Sequence, residues 1–453
     1  MSEPVYIVGL DIGTTKIACI VGEKDSNGKI KILGHGKAES TGVKRGMVIN
    51  IEDTVNAIKL AVAQASEQSK IEIKSVNVGI AGHHIKSLQN RGMLIRENAN
   101  AVITDEELHN LRNNMYRIGT SPGEEIINVI PQEYFVDGET TGNKTPRGMV
   151  GNKIEANFHI IIGQSAAVRN ILTCINLAGL EMDYMFLEPI ASASAVLCEE
   201  EKEAGVAIVD IGGGTTDIAV FYDSVICHTA VIPFGGNIIT DDIRQGCSIL
   251  RKQAEEIKVR FGSAVAMENS EDEVVSIPGI HGRPPKEISF KNLSYIIQAR
   301  LEEIFDLVKF EIDKVNSEHK LATGIVLTGG GSMMKHIAQL AEFKTGLEVR
   351  LGYPNEYLAN ETADDLASPL YSTGIGLVIE GIAKYENDLK KGKYETGGNS
   401  AVKGGNVNDD ESKGGGEENG GSTTKAGGFT FGDIITSISK IFKSEKLDKD
   451  ITE

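Results

Sequence analysis

Residues 5–21 read VYIVGLDIGTTKIACIV, and residues 206–220 read VAIVDIGGGTTDIAV. Each stretch has an apolar run, an aspartate, a turn containing glycine, two threonines and a second apolar run. Short apolar runs bounded by turn residues are typical of buried strands. The repetition predicts two related halves. Strand and helix patterns alternate along the remaining chain up to about residue 390, which indicates an α/β fold. One predicted helix begins at Thr104, with Glu107 completing a capping box, and residues 270–285 are expected to form a loop.

The repeated turn favours binding of an anion. Glycines leave backbone N–H groups unobstructed, and threonine hydroxyls add donors. An aspartate at the strand end can hold the waters that surround Mg²⁺. Two such turns predict a clamp for a polyphosphate, and the alternative is a tight turn whose aspartate caps its own loop.

A third glycine-rich stretch supports the phosphate interpretation. Residues 327–332 read LTGGGS, between the predicted strand 324–327 and a predicted helix over 333–345. A glycine turn that leads into a helix N-terminus suits close approach of a nucleotide. The alternative is an ordinary tight loop.

Length and composition narrow the class of protein. The chain has 453 residues, 40% of them hydrophobic, which predicts two to four domains with sizeable cores. A formal net charge of −18 disfavours nucleic acid as a partner. The cysteines form no CxxC pair, which predicts reduced thiols rather than a disulfide framework or a zinc site. Neither a membrane-spanning segment nor a signal peptide is predicted, so we expect a cytosolic protein.

The C-terminal region changes character after residue 391. Residues 392–428 contain 12 glycines among 37 residues, which predicts a flexible linker. Residues 429–446 then predict an amphipathic helix whose apolar side chains span ~120° of the helical circumference. Such a helix favours a membrane interface, and the alternative is docking on a protein groove. Its apolar residues are Phe431, Ile434, Ile435, Ile438, Ile441 and Phe442.

Together these motifs resemble the actin/Hsp70/sugar-kinase ATPase superfamily and, within it, the FtsA family of bacterial cell-division proteins. Further family-like stretches are 187–195 (LEPIASASA), 91–94 (RGML), 145–150 (TPRGMV) and 234–237 (FGGN). The resemblance covers residues 5–385 and, more loosely, the tail. It implies a two-lobed actin-like fold made of duplicated RNase H-like halves, with a small inserted α+β subdomain.

The resemblance also implies domain limits. The first lobe would comprise 1–82, 163–203 and 360–390, the insert 83–162, the second lobe 204–236 and 321–359, and its smaller subdomain 237–320. The linker would be 392–428 and the membrane-targeting helix 429–446.

The resemblance further implies site residues for ATP and Mg²⁺. Asp11 and Asp210 would face the water shell of Mg²⁺, and Glu188 would orient an attacking water. The phosphates would lie against Gly13, Thr14, Thr15, Lys16, Gly212, Gly213, Gly214, Thr215 and Thr216. The nucleoside would lie near Glu255, Lys258, Gly329, Gly330, Gly331 and Ser332. An ordinary surface ion pair is the alternative for Glu255 and Lys258, which share a helix face.

The resemblance implies binding of the C-terminal peptide of the tubulin-like FtsZ through about residues 237–322. Lys291, Arg300 and Glu303 are candidate contacts, and an ordinary solvated helix face is the alternative. The resemblance implies self-polymerisation, recruitment of later division proteins, little or no ATP hydrolysis, and a place on the cytoplasmic side of the inner membrane at the septum. The rivals are a sugar-kinase-like phosphotransferase, an Hsp70-like chaperone and a pilus-assembly actin-like protein.

Overall fold

The computed structural model describes residues 5–142, 144–279, 284–316, 320–359 and 364–390. The predicted linker and the predicted amphipathic helix lie outside these residues. Among the described helices, none combines the length and the apolar content that crossing a membrane requires.

The first half begins with strands and a helix. They are β1 (Tyr6–Ile12), β2 (Lys16–Lys24), β3 (Ile30–Glu39), β4 (Val43–Lys44), β5 (Met47–Val48), α1 (Ile51–Ser69) and β6 (Ser75–Ile80). Asn50 caps α1, since its side chain accepts from the backbone N–H of Asp53.

A four-stranded sheet with one helix is inserted after β6. Its elements are β7 (Lys86–Ile95), α2 (Asp105–Met115), β8 (Glu124–Val136), β9 (Glu139–Gly142) and β10 (Lys153–Gln164), and its strand order is β7–β10–β8–β9. The capping box that the sequence predicts at Thr104 and Glu107 is confirmed: each side chain bonds the other residue's backbone N–H. The insert has its own core, which includes Leu111 and Phe158.

The first half resumes after the insert with α3 (Ser165–Leu177), β11 (Glu181–Leu187), α4 (Glu188–Val196) and α5 (Glu199–Ala204). The second half comprises β12 (Val206–Ile211), β13 (Thr216–Tyr222), β14 (Val225–Ile232), α6 (Gly236–Cys247), α7 (Arg251–Phe261), β15 (Val274–Ile277), β16 (Lys286–Ser289), α8 (Phe290–Asn316), β17 (Ile325–Thr328), α9 (Ile337–Thr345) and β18 (Val349–Leu351). The last described helix is α10 (Ser372–Lys390).

The two large sheets have the same topology. One has the order β3–β2–β1–β6–β11 and the other β14–β13–β12–β17–β18. In each sheet three antiparallel strands are followed by two parallel ones. The duplication that the repeated stretches predict is therefore confirmed.

Helices α4 and α10 pack between the sheets at very short range. A Cβ built on Gly376 would lie 1.8 Å from the carbonyl oxygen of Ala191. The two helices therefore touch backbone to backbone. Buried residues of both helices, including Ala193 and Ile375, share one core cluster with strands of each sheet.

Two sequence expectations about local structure are wrong. The region 270–285 was expected to be a loop, but Val274–Ile277 pairs with Lys286–Ser289 as a two-stranded sheet. The helix expected over 333–345 begins only at Ile337, because His336 has a left-handed backbone (φ 61°) that interrupts it.

The insert is fastened to the edge strand β14 of the second half. The Gln132 side-chain amide donates to the carbonyl oxygen of Ile226 (2.8 Å), and the Ser87 hydroxyl donates to that of Thr229 (3.0 Å). The ring nitrogen Nε2 of His159 lies 2.9 Å from the Thr229 hydroxyl. These contacts cover an otherwise open sheet edge.

Acidification is expected to destabilise this junction through His159. Burial, and secondarily the charge of His228, lowers the pKa of His159 from 6.5 to about 4. The folded state thus favours the neutral ring, and the free energy of unfolding falls as the pH drops from about 6.5 to about 4. At 1.36 kcal/mol per pKa unit the loss is about 3 kcal/mol. His159→Gln keeps an amide for Thr229 but cannot titrate.

The measurement is the urea midpoint of the wild type and of His159→Gln between pH 7 and pH 4. The midpoint of the variant should fall less steeply with acidification. Other titrating groups, including His84, are present in both proteins and cancel in the difference. Parallel curves for the two proteins would contradict the assignment.

Candidate functional site

The turns of the two repeated hairpins lie against each other. A Cβ built on Gly213 would lie 1.8 Å from the Thr15 hydroxyl, and one on Gly214 would lie 2.5 Å from the Thr14 hydroxyl. The second turn therefore accommodates the threonines of the first only because it consists of glycine. The structure thus brings together the two turns that the sequence predicts to share a phosphate site. A phosphate between them requires the turns to separate.

The register of the hairpins shows which residues of the two turns correspond. Asp11 pairs with Ala18, and Asp210 pairs with Asp217. Both hairpins have the same length, so the threonine pair of the first turn corresponds to two glycines of the second. The two threonine pairs that look alike in sequence are therefore not equivalent. The second hairpin places an additional carboxylate, Asp217, opposite Asp210.

Four carboxylates share this region. Asp11, Asp210 and Asp217 are buried, and Glu188 is half-buried at the start of α4. Burial, followed by the charges of the three aspartates, raises the pKa of Glu188 well above its usual value. Burial also raises the pKa of Asp210, and burial with the charge of Asp210 raises the pKa of Asp217 to about 8. Binding of a positive charge close to these four carboxyl groups would therefore be favourable.

Lys16 partly offsets the negative charge of the four clustered carboxyl groups. Lys16 Nζ donates to Asp11 Oδ2 (2.8 Å) and lies 5.3 Å from the centre of the Tyr371 ring. Asp217 Oδ2 accepts from the Thr215 hydroxyl (2.8 Å), whereas its buried Oδ1 has no hydrogen-bond partner among the described residues. Crowded carboxyl groups whose charged forms are disfavoured, together with an unpaired oxygen, fit a divalent cation held through its water shell. In the described part of the chain, no three His, Cys, Asp or Glu side chains approach closely enough to hold an ion together.

The glycine-rich stretch after β17 closes around Asp210. Gly329 has φ 82°, and a Cβ there would lie 2.1 Å from Asp210 Oδ1 and 2.7 Å from the Ile211 carbonyl oxygen. A Cβ built on Gly331 would likewise collide with the Ile211 side chain. The Ser332 hydroxyl is buried and donates to the Gly329 carbonyl oxygen (2.8 Å). The stretch is therefore shaped to bring its backbone close to Asp210.

The predicted pair Glu255 and Lys258 connects to the second turn. Lys258 Nζ donates to Glu255 (2.8 Å), to the Thr240 hydroxyl (2.9 Å) and to the Gly236 carbonyl oxygen (3.0 Å). Gly236 N–H in turn donates to the Gly212 carbonyl oxygen (2.9 Å). Lys258 is buried, so a simple surface ion pair does not describe it.

The candidate peptide contacts on α8 already have partners. Arg300 makes a bidentate ion pair with Asp242 (2.6 and 3.1 Å) and also contacts Glu303. Lys291 pairs with Glu271 (2.6 Å) at the start of the helix. Lys291 and Arg300 are nine positions apart, which corresponds to about 13 Å along α8 at 1.5 Å per residue, so they are separate positions on the helix.

Sequence reasoning missed three polar residues of the site. Asp217 was adjacent to the quoted threonine pair, and a comparison of hairpin lengths was the signal that would have found it. Ser192 and Thr373 both donate to Asp210, at 2.6 and 3.2 Å. They lie far apart in the chain, and no local pattern marks them.

The duplicated sheets, the facing turns and the insert after β6 define an actin-like α/β protein. A likeness to the solved PilM–PilN type IV pilus biogenesis complex supports this fold: the TM-score is 0.62 at 15% sequence identity, over 83% of this chain and 99% of that one. That likeness shows the fold alone.

Family comparisons identify the particular kind of actin-like protein. Residues 207–376 match the family described as cell division protein FtsA, and residues 82–162 match the SHS2 domain inserted in FtsA. The chain is 38% identical to the cell division protein FtsA of Pseudomonas aeruginosa over 384 residues, which cover 84% of this chain and 91% of that protein. It is 40% identical to that of Neisseria meningitidis serogroup B over 385 residues, 85% and 92% of the two chains.

The chain belongs to the FtsA family of cell division proteins. Among the alternatives that the sequence left open, this membership selects the cell-division protein over the sugar kinase, the chaperone and the pilus-assembly protein.

Proposed function

We propose that this protein is an ATP-binding adaptor that attaches FtsZ filaments to the cytoplasmic face of the inner membrane at the division septum. The observation that carries the nucleotide part is the contact between the two glycine-containing turns beside a cluster of four carboxylates. Family membership supports the cell-division part. The domain limits expected from the sequence form part of the proposal, with 83–162 as the insert and 237–320 as the peptide-binding subdomain.

The nucleotide site is proposed to use both turns and the stretch after β17. Backbone N–H groups of the turns and Lys16 would bind phosphate oxygens. Asp11 and Asp210 would hold the water shell of Mg²⁺, with Asp217 behind them. When bound, Mg²⁺ supplies positive charge that offsets the carboxylates and screens the phosphates. The nucleoside would lie near Gly329–Ser332 and the Glu255–Lys258 pair.

Hydrolysis is proposed to be slow. A general base must be deprotonated to accept a proton from water. The raised pKa of Glu188 disfavours the deprotonated form that a general base requires. The chain would therefore act chiefly by binding nucleotide, and the bound state would favour polymers of the protein.

Membrane attachment is proposed to come from residues 429–446. On a helical projection of the sequence, six apolar residues lie on one side, and the net charge of the segment is only +1. Attachment would therefore depend on apolar burial, with polymerisation strengthening it through multivalency. Later division proteins would be recruited to the resulting polymer, and the peptide of FtsZ would bind residues 237–320.

We expect only a chain with an intact apolar helix face to sediment with liposomes. The comparison uses the full chain, a truncation after Lys391, Ile438→Glu and Thr436→Glu, each with and without ATP–Mg²⁺ and the C-terminal peptide of FtsZ. Ile438 lies at the centre of the predicted apolar face, and Thr436 lies about 160° away at 100° per residue.

The full chain and Thr436→Glu should sediment with lipid, carry the peptide down and do so more completely with ATP. The truncation and Ile438→Glu should stay in the supernatant. If the truncation sediments as well as the full chain, the tail is not the anchor. If Ile438→Glu and Thr436→Glu behave alike, an amphipathic helix is not the means of attachment.

A further inference from the structure

Two buried hydroxyls fix the orientation of Asp210. Ser192 Oγ of α4 donates to Asp210 Oδ2 (2.6 Å), and Thr373 Oγ1 of α10 donates to the same oxygen (3.2 Å). The two hydroxyl oxygens are 3.0 Å apart. Ser192 is 0% exposed and Asp210 is 7% exposed. Three elements, β12, α4 and α10, therefore meet at one carboxylate oxygen.

The hydroxyls of Ser192 and Thr373 bond Oδ2 of Asp210, and the second carboxylate oxygen, Oδ1, points toward the glycine-rich stretch after β17. Asp210 Oδ1 faces Gly329, where even a Cβ would approach to 2.1 Å. Hydrogen bonds to charged groups are stronger than neutral ones, so two of them on Oδ2 hold the carboxylate in one rotamer. Oδ1 is thereby kept on the side of the glycine-rich stretch, where the nucleotide is proposed to lie.

Ser192 also links Asp210 to Glu188. The two α4 residues are four apart, so they lie on the same face of that helix. The charge of Asp210 contributes to the raised pKa of Glu188, which places the two carboxyl groups in one electrostatic environment. One hydroxyl therefore ties the helix that carries Glu188 to the strand that carries Asp210.

We propose that Ser192 and Thr373 are positioning residues for Mg²⁺: they hold Asp210 so that its Oδ1 is presented to the water shell of the ion. This inference rests on the proposed binding of ATP and Mg²⁺. It predicts that loss of either hydroxyl weakens nucleotide binding only where Mg²⁺ contributes to it.

A neighbouring hydroxyl pair provides a matched control. Thr328 Oγ1 and Ser372 Oγ lie 2.7 Å apart, are both fully buried, and join β17 to the start of α10. Within the described part of the chain, neither hydroxyl bonds a carboxylate. Ser372→Ala therefore removes a buried hydroxyl next to Thr373 in the same helix turn without altering the hydrogen bonds of Asp210.

The experiment measures binding of a fluorescent ATP analogue to the full chain as a function of Mg²⁺ concentration, and again in EDTA. Ser192→Ala and Thr373→Val are each expected to raise the half-saturating Mg²⁺ concentration about tenfold, the order expected for a lost bond to a charged group. Affinity in EDTA should be unchanged. Thr373→Ser, which keeps the hydroxyl, and Ser372→Ala should match the wild type.

Equal weakening in EDTA and in Mg²⁺ would overturn the inference, because it would show a general packing role. So would an equal shift in Ser372→Ala, or no shift in both Ser192→Ala and Thr373→Val. Melting temperatures identify any variant that fails to fold. If Ser192→Ala fails to fold, Thr373→Val still tests the second hydrogen bond to the same oxygen of Asp210. A wild-type chain that binds no nucleotide under either condition would instead refute the proposed function, and this inference with it.

Discussion

Gly329→Ala is expected to destabilise the protein by about 3 kcal/mol and to weaken nucleotide binding about a hundredfold. The backbone of Gly329 (φ 82°, ψ 168°) lies in a region that essentially only glycine adopts, which costs alanine about 1–3 kcal/mol. The new Cβ would also meet Asp210 Oδ1 at 2.1 Å and the Ile211 carbonyl oxygen at 2.7 Å. Relief of this clash must move either the carboxylate that is proposed to face Mg²⁺ or the glycine-rich stretch itself.

Gly346→Ala tests a positive φ without a collision. Gly346 is left-handed (φ 73°, ψ 14°), and no atom of the described residues lies within 4 Å of a Cβ built there. This control should lose only about 1 kcal/mol and should bind nucleotide normally. Urea unfolding and nucleotide titration of both variants test the contrast. Equal effects of the two substitutions would show that the approach of Gly329 to Asp210 has no consequence for binding.

Gly376→Ala is expected to reverse the usual effect of replacing glycine within a helix. Alanine is normally favoured over glycine in a helix by about 1 kcal/mol. At Gly376, however, the Cβ would lie 1.8 Å from the backbone oxygen of Ala191, so α4 and α10 must move apart. Overpacking of this kind costs about 3 kcal/mol. Since these helices carry Ser192 and Thr373, nucleotide binding should weaken too.

Gly246→Ala is the matched control within α6. Its Cβ would meet only the far end of the Ile296 side chain at 2.8 Å, and a flexible side chain can move away. This variant should be as stable as the wild type or more stable, whereas Gly376→Ala should unfold at a lower urea concentration. A stabilised Gly376→Ala protein would show that α4 and α10 do not touch as closely as described.

The local elements of this fold could be predicted from sequence because their signals are local. Each repeated hairpin carries its own apolar strands and turn, so the duplication follows from two short stretches. The Thr104 capping box likewise needs only four consecutive residues. The resemblance carried by the family-like motifs adds the order of the subdomains along the chain, including the position of the insert.

The site residues that sequence reasoning missed depend on contacts between segments far apart in the chain, or on the register of paired strands. Ser192 and Thr373 meet at Asp210 only because α4 and α10 pack backbone to backbone, and nothing in either segment encodes the other. Asp217 was overlooked because the two threonine pairs align in sequence but not in the hairpins. The strand Val274–Ile277 is short and half-exposed, so it lacks the apolar alternation of a buried strand.

The most direct test of this account is calorimetric titration of ATP into the wild-type chain, with Mg²⁺ and with EDTA, using Gly329→Ala as the reference. The account predicts saturable binding of ATP that weakens markedly in EDTA and is largely lost in Gly329→Ala. Absence of binding by the wild type, or binding that responds neither to Mg²⁺ nor to Gly329→Ala, would contradict a nucleotide site between the two hairpins.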